Sequence, residues 1–173
     1  SIQWSDSDFS WSEFVRRNND ELVATYGNLV NRVLTFSYRN FDGKFPSPDG
    51  LDEVDEGLLR SARIALDEVG QNLADCHFKA AIGQAFGLAQ EANRYLDAKT
   101  PWRTIKEDRL QAATSLWVTI GTINCLKVML YPFMPFSSQK LHEYLGFDDR
   151  VEEGMWDFDY ILAGVVAGKA LRQ

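Results

Sequence analysis

The sequence predicts an all-α fold, an antiparallel bundle of about five helices. Apolar residues recur at spacings of three and four along several long stretches, which is typical of helices that bury one side. No stretch alternates apolar and polar residues for long enough to predict a strand. The 173 residues, 45% of them hydrophobic, are sufficient for one domain with a core of its own.

The first predicted helix follows an opening, SIQWSDSDFSW, that we expect to be irregular. Ser10 and Glu13 have the spacing of a capping box, which predicts that the helix starts after Ser10. The helix should end at NFDGKFPSPDG, because two glycines and two prolines there predict a loop. The apolar positions on its buried side are Leu22, Tyr26, Leu29, Val33 and Phe36.

Two more helices are expected between Asp52 and Leu96, separated by a break at Asp75 to His77. The four carboxylates from Asp52 to Glu56 favour a helix N-terminus, and we interpret them as a solvated helix start rather than a cation site. The positions expected to face the core are Leu58, Ala62, Leu66, Val69 and Leu73 in one helix, and Phe78, Ile82, Ala85, Ala89, Ala92 and Leu96 in the other.

Prolines delimit the remaining helices. Pro101 interrupts the chain, since the residue before a proline is disfavoured in the helical conformation. A long helix is expected from Asp108 to Pro132, followed by a short helix capped by Ser137 or Ser138. The last residues, AGVVAGKALRQ, predict a short helix or a turn. The inward positions of the long helix are Leu116, Ile120, Ile123 and Leu130.

Composition restricts the classes of function. The net charge of −7 disfavours nucleic-acid binding on charge alone, unless a local site does the reading. Cys76 and Cys125 lack metal-ligand spacing, and we predict two buried thiols in a reducing compartment. No apolar run of ~18 residues and no signal-like segment occurs, so the sequence predicts a soluble, cytoplasmic protein without membrane or DNA partners.

An enzyme or metal site is not supported by the spacing of the titratable residues. Metal sites in helical bundles use Glu-x-x-His, but Ala74 and Gln139 stand three residues before His77 and His142. HExxH, a P-loop, GxGxxG and GxSxG are also absent from the sequence. We therefore predict no catalytic residue, no metal site and no cofactor in this chain.

A polar stripe lies beside the core side of the first helix. Its spacing of four and three puts the side chains on one face, which on periodicity alone is a solvated surface. Asn and Arg also carry planar sets of donors and acceptors that suit the edges of bases, so a base-reading face is the alternative. The stripe consists of Glu21, Thr25, Asn28, Arg32, Thr35 and Arg39.

Trp102 follows directly after Pro101, where a new segment of the chain begins. A tryptophan at this place can be a core residue, or it can be a platform on which an unpaired base stacks with ~1 to 3 kcal/mol. The sequence leaves both open. If the fold joins Trp102 to the Asn and Arg face, the two would form a compact reader of one or two splayed bases.

Three separated blocks, NNDELVATYGNLVNRVLTF, ANRYLDAKTPW and LKVMLYPFMPFSSQKLHEYLG, carry a resemblance to a known family. In this order they resemble the C-terminal anticodon-binding domain of methionyl-tRNA synthetase, a class I aminoacyl-tRNA synthetase. The resemblance implies that Asn28, Arg32 and Trp102 recognise the CAU anticodon. Trp102 would stack on the first base, while Asn28 and Arg32 would hydrogen-bond to its edge.

The resemblance also implies supporting residues. Asn31 and Arg39 lie near the predicted site, where they could contact phosphates. Asn93 and Tyr95 match the family pattern, and we expect them to have a structural role in positioning the segment that begins at Pro101.

By the same resemblance, residues 1–17 form a junction to a catalytic domain and residues 18–173 form the helical domain. The HIGH-like and KMSKS-like catalytic motifs do not occur in the sequence and are expected to precede residue 1. The chain itself would then not be an enzyme, whereas its parent would be an ATP-dependent methionine–tRNA ligase. ATP would bind in that catalytic part, and the resemblance leaves open whether zinc binds there as well. The implied partners are the anticodon loop of methionine tRNA and the catalytic domain.

The competing interpretation is a helical protein-interaction domain with no RNA role, in which the polar stripe is solvated and Trp102 is packed. Under the RNA-reading interpretation, a domain with a net negative charge has to bind a polyanion. We expect base contacts to provide specificity, while the rest of the tRNA and the parent enzyme provide much of the phosphate affinity. The isolated chain should then bind RNA weakly.

Overall fold

The computed structural model describes the backbone of residues 2–172 and the side chains of residues 20–172. The described chain is all-α, and its only β-type pairing is a single antiparallel bridge between Lys44 and Ala170. Five of its seven α-helices have ten residues or more, which confirms the predicted bundle. The helices are α1 Ile2–Asn40, α2 Glu53–Ala74, α3 Phe78–Lys99, α4 Pro101–Thr104, α5 Arg109–Leu130, α6 Pro135–Tyr144 and α7 Phe158–Ala163, with a 3-10 turn at Val151–Glu153.

Helix α5 is the centre of the bundle and packs against the other six helices. Its length and composition would allow it to cross a membrane, but 89% of its apolar window is buried within the protein. It is therefore a core helix, and the four inward positions predicted for it are all buried. The predicted core positions of α1, α2 and α3 are also buried, except that Phe36 and Leu73 are half-buried and Phe78 is exposed.

The start of α2 was predicted correctly as an N-terminus, and Asp52, Glu53 and Glu56 are exposed as expected, but Asp55 is buried. Asp52 caps the helix by accepting from the backbone N–H of Asp55 at 2.8 Å, and the Asp55 carboxylate accepts from the N–H of Asp52 at 3.0 Å. Asp55 itself is only 3% exposed. Its carboxylate accepts from the Tyr95 hydroxyl and lies 3.2 Å from the Lys99 ammonium, and these partners offset the cost of burying a charge.

Two predicted helix starts are wrong. The backbone is helical from Ile2, so the chain is not irregular before Ser10; residues 2–40 contain no proline and one glycine, and thus nothing breaks the helix. Helix α6 starts at Pro135 and not at a serine cap, because proline at the first helical position has a suitable φ and loses no needed donor. Ser138 is buried inside this helix.

The prediction for the cysteines is half correct. Cys125 is buried in α5, and burial raises the pKa of its thiol to about 12. Cys76 is exposed, because it lies in the break between α2 and α3 with a φ of 59°. This left-handed residue turns the chain at the surface, so α2 and α3 run antiparallel and pack along their length.

The C-terminal tail pairs with the loop after α1. Phe45 N–H donates to the Lys169 carbonyl at 2.8 Å, and Leu171 N–H donates to the Gly43 carbonyl at 2.7 Å. Helix α1 runs without interruption through residues 17 and 18, and the division into a junction and a domain there stays a prediction.

Candidate nucleic-acid interface

Arg32 is the residue at which α1, α3 and α4 meet. Its Nη1 donates to Asn93 Oδ1 at 3.3 Å, and its Nη2 donates to Asp97 Oδ1 at 3.1 Å. Its Cζ lies 4.9 Å from the centre of the Trp102 ring, within the range of a cation–π contact. The fold thus joins two of the three site residues predicted from sequence, although they are 70 positions apart in the chain.

Local sequence explains how α1 and α3 present these groups. Arg32 precedes the fully buried Val33 and follows Leu29 by three residues, so it lies at the edge of the buried side of α1. Asn93 and Asp97 are four residues apart on α3 and therefore project from the same face. The Nδ2 of Asn93 also donates to the Thr25 carbonyl at 3.3 Å, which ties α3 to α1.

A tight turn places Trp102. Thr100 has a φ of 42° and ends α3 in the left-handed conformation, and the buried Pro101 then starts the short helix α4. The hydroxyl of Thr104 donates to the Lys99 and Thr100 carbonyls at 2.9 and 3.1 Å, which closes the turn. This ordered turn, which carries Trp102, fixes its indole against α1.

The position of Trp102 lies between the two alternatives that the sequence left open, a core residue and an accessible platform. It is half-buried and packs against the hydrophobic core, yet part of the ring remains accessible beside Arg32. A ring with a buried edge and an accessible part is held in place and can still receive a flat partner.

The remaining predicted residues lie around this centre at different distances from it. Asn28 is exposed one turn before Arg32, on the same face of α1. Asn31 is exposed and accepts from the Thr35 hydroxyl at 3.3 Å, and Arg39 is exposed two turns after Arg32. Asn31 and Arg39 also line an apolar groove of about 660 Å³ between α1 and α6.

Tyr95 lies on a different side of α3. It is buried, and its hydroxyl donates to Asp55 on α2. Burial, together with this carboxylate, raises the pKa of the phenol. Its hydrogen bond thus joins α3 to α2, and the structure gives no hydrogen bond from it to the Pro101 segment. Asn93, in contrast, contacts a site residue directly, because its Oδ1 accepts from Arg32.

Asp97 was not predicted from the sequence, although it forms the ion pair with Arg32. Its spacing of four from Asn93 is a signal that could have found it, had α3 been searched for partners of the α1 stripe. The Arg32 and Asp97 side chains are 29% and 67% exposed. An ion pair this open to solvent contributes about 0 to 1 kcal/mol, so a ligand can replace it at little cost.

The described part of the chain holds no group of three or more His, Cys, Asp or Glu side chains that could bind a metal ion. The site consists of the half-buried indole of Trp102, the guanidinium fork of Arg32 and the side-chain amides of Asn28 and Asn93. These groups suit recognition of a flat, polar partner and not bond-breaking chemistry.

Two family models, both of tRNA synthetases, match the sequence. Residues 1–34 match the model described as class I tRNA synthetases (M). Residues 45–173 match the model described as the anticodon binding domain of methionyl tRNA ligase. The chain belongs to this family of anticodon-binding domains of methionyl-tRNA ligases.

Individual relatives agree with the family models. The methionine–tRNA ligase of Chloroflexus aurantiacus is 53% identical over 146 residues, which are 84% of this chain and 24% of that protein. The methionine–tRNA ligase of Dehalococcoides mccartyi strain CBDB1 is 51% identical over 96% of this chain and 30% of its own length. The chain therefore spans less than a third of the length of these relatives.

A solved structure shares the fold. Mycobacterium tuberculosis methionyl-tRNA synthetase in complex with methionyl-adenylate superimposes with a TM-score of 0.79 at 26% identity. The match covers 94% of this chain and 32% of the mycobacterial chain. The helical bundle is thus the architecture of the anticodon-binding part of a methionyl-tRNA synthetase.

Proposed function

We propose that this domain reads the CAU anticodon of methionine tRNA for a parent methionine–tRNA ligase, by holding the first anticodon base against Trp102. The observation that carries the proposal is the position of the Arg32 guanidinium beside the accessible indole. A base that stacks on this ring would have its edge within reach of the Arg32 donors. Asn28, one turn away on the same face, would add one donor and one acceptor.

Cytosine fits the chemistry of these side chains. Its ring nitrogen and carbonyl oxygen are acceptors, and its amino group is a donor. The fork of Arg32 can donate to both acceptors, while the Asn28 amide oxygen can accept from the amino group. In the free protein, the Arg32 donors are held by Asn93 and Asp97. These partners keep the fork pointed across α3 and are exposed enough to release it to a base.

The wider role follows from family membership. The parent would attach methionine to its tRNA in the cytoplasm, using ATP in a catalytic domain that contacts this bundle. A protein-interaction domain with no RNA role is disfavoured, since the chain belongs to an anticodon-binding family and Trp102 is not fully packed.

An NMR titration tests the base-reading role. The chain is titrated with an RNA stem-loop whose loop carries CAU, and with a second loop that differs only in the first base. We expect weak binding, with larger shifts for CAU at the indole N–H of Trp102, the side chain of Arg32 and the amide of Asn28. Equal shifts with both RNAs would overturn the proposed reading of the first base.

A further inference from the structure

The segment from residue 102 to residue 109 runs beside the last two turns of α1. At one end, Trp102 contacts Arg32. At the other end, Arg109 donates to the Asn40 carbonyl, and its guanidinium carbon lies 4.5 Å from the centre of the Phe41 ring. The two contact points on α1 are eight residues apart, about 12 Å along a helix.

Three cations lie along this path without a protein partner. Arg103 and Lys106 are exposed on the segment, and Arg39 is exposed on the adjoining turn of α1. Among the described residues, the side chain of none of these three has a hydrogen bond, an ion pair or a ring contact. We call these three residues, Arg39, Arg103 and Lys106, the cationic strip. The exposed Arg63, in contrast, pairs with Asp159.

The acidic residues of the same path do not neutralise the positive charge of the strip. The Asp108 carboxylate accepts from the Gln111 N–H at 3.1 Å and caps α5, and Asp97 pairs with Arg32. Glu107 is the remaining exposed acid of the segment. The path is therefore locally positive in a molecule with a net charge of −7.

We propose that the cationic strip binds the phosphates of the RNA strand that leads away from the base on Trp102. This inference rests on the proposed function, and it assigns the backbone contacts of the same site. Along a stacked strand, 12 Å corresponds to about three nucleotides at 3.4 Å each. Phosphate contacts fix the register of the strand, while Trp102, Arg32 and Asn28 read the base. The strip also explains how an acidic domain tolerates a polyanion.

Salt dependence distinguishes phosphate contacts from base contacts. We would measure binding of the CAU stem-loop, and of the loop changed at its first base, at several KCl concentrations. The test variant is the double substitution Arg103→Gln and Lys106→Gln. The matched control is Arg60→Gln with Lys140→Gln, which removes one exposed arginine and one exposed lysine from α2 and α6.

Two lost phosphate contacts should reduce the slope of log K against log salt by about 1.4, because each contact to a single strand contributes about 0.7. The preference for the CAU loop should not change. Equal slopes in the test variant and the control would overturn the assignment, as would a lost preference in the test variant. A wild-type chain that binds both loops equally would overturn only the proposed reading of the first base. The salt slopes would still test whether the cationic strip contacts phosphates. A wild-type chain that binds neither RNA would overturn both.

Discussion

At the scale of single residues, the site depends on one arginine with three different neighbours. Arg32 has an amide, a carboxylate and an aromatic ring around it, each from α3 or α4. Such a guanidinium is positioned before any ligand arrives, which reduces the entropy lost on binding. The stacking and the hydrogen-bonding contributions can be separated by substituting Trp102 and Arg32 one at a time.

Trp102→Ala removes the stacking platform. We expect the affinity for the CAU stem-loop to fall by the stacking contribution, about 1 to 3 kcal/mol, while the helical content is retained because the indole is only half-buried. Trp156→Ala is the control, since Trp156 is a partly exposed tryptophan that donates to Leu66 and lies outside the site. Affinity is measured by titration and helical content by circular dichroism. An unfolded Trp102→Ala variant would instead make this residue a core residue.

Arg32→Lys keeps the charge but removes the planar fork. We expect the variant to lose most of its discrimination between the CAU loop and the loop with a changed first base, with little loss of overall stability. Arg63→Lys is a matched control, because Arg63 also pairs with an aspartate, Asp159, and lies 4.4 Å over an aromatic ring, Phe158. The ratio of the two affinities is the readout. A ratio equal to that of the wild type would remove Arg32 from the reading site.

At the scale of helices, α3 connects the site to the rest of the bundle. One face of it carries Asn93 and Asp97 toward α1, and another carries Tyr95 and Lys99 toward the buried carboxylate of Asp55 on α2. The position of α3 relative to α1 sets the geometry of the site. The buried hydrogen bonds to α2 therefore support the site from a distance.

Asp55→Ala tests this support. It removes the acceptor of the Tyr95 hydroxyl and one partner of Lys99, leaving polar groups buried without compensation. We expect unfolding free energy to fall by about 3 kcal/mol, the lower end for a broken buried pair, because Lys99 keeps Asp52. Asp67→Ala, an exposed acid on the same helix, should change it by less than about 0.5 kcal/mol. Urea unfolding of both variants checks this, and a loss below 1 kcal/mol for Asp55→Ala would contradict it.

The helices were predictable because their apolar spacing is local information. Leu116, Ile120 and Ile123 are buried as their period requires, and the proline and glycine signals gave most of the ends. The burial of Asp55 was not predictable, since its partners Tyr95 and Lys99 come from another helix. The same holds for the site: periodicity put Asn28 and Arg32 on one face, but Asn93 and Asp97 lie 61 and 65 positions from Arg32. Trp102 was joined to them by a family resemblance and not by spacing.

At the scale of the whole molecule, a second polar cluster lies inside the bundle, away from the site. Lys127 of the central helix is 2% exposed and donates to Asn124, and its Nζ lies 2.6 Å from His142 Nδ1. His142 Nε2 lies 2.7 Å from an Asp149 oxygen. This chain of contacts joins α5, α6 and the loop after α6. Burial lowers the pKa of Lys127 to about 7, and it also lowers the pKa of His142.

The pKa of Lys127 makes global stability depend on pH. The usual pKa of lysine is about 10.4, so between pH 7 and 10 the unfolded chain binds a proton that the folded chain has released. Stability must then rise with pH in this window, and it must fall as the pH is lowered toward 7. His142 titrates below the window, whereas Cys125, whose pKa burial raises to about 12 in the folded chain, ionises in the unfolded chain near the usual thiol pKa of about 8.5 and lowers stability as the pH rises above that value. From pH 7 to 9 the rise from Lys127 is the larger contribution, and Cys125 subtracts a smaller one above about pH 8.

We expect the unfolding free energy of the wild type to increase by up to about 2 kcal/mol from pH 7 to pH 9, measured by urea unfolding at constant ionic strength. Lys127→Met should remove most of this increase, because the variant has no ammonium to deprotonate there. Lys169, whose pKa burial also lowers, would retain a part of the slope. Lys79→Met, at an exposed position of α3, is the control and should keep the wild-type slope. An identical pH dependence in Lys127→Met and the wild type would show that the buried lysine stays protonated throughout, stabilised by its chain of contacts to Asp149.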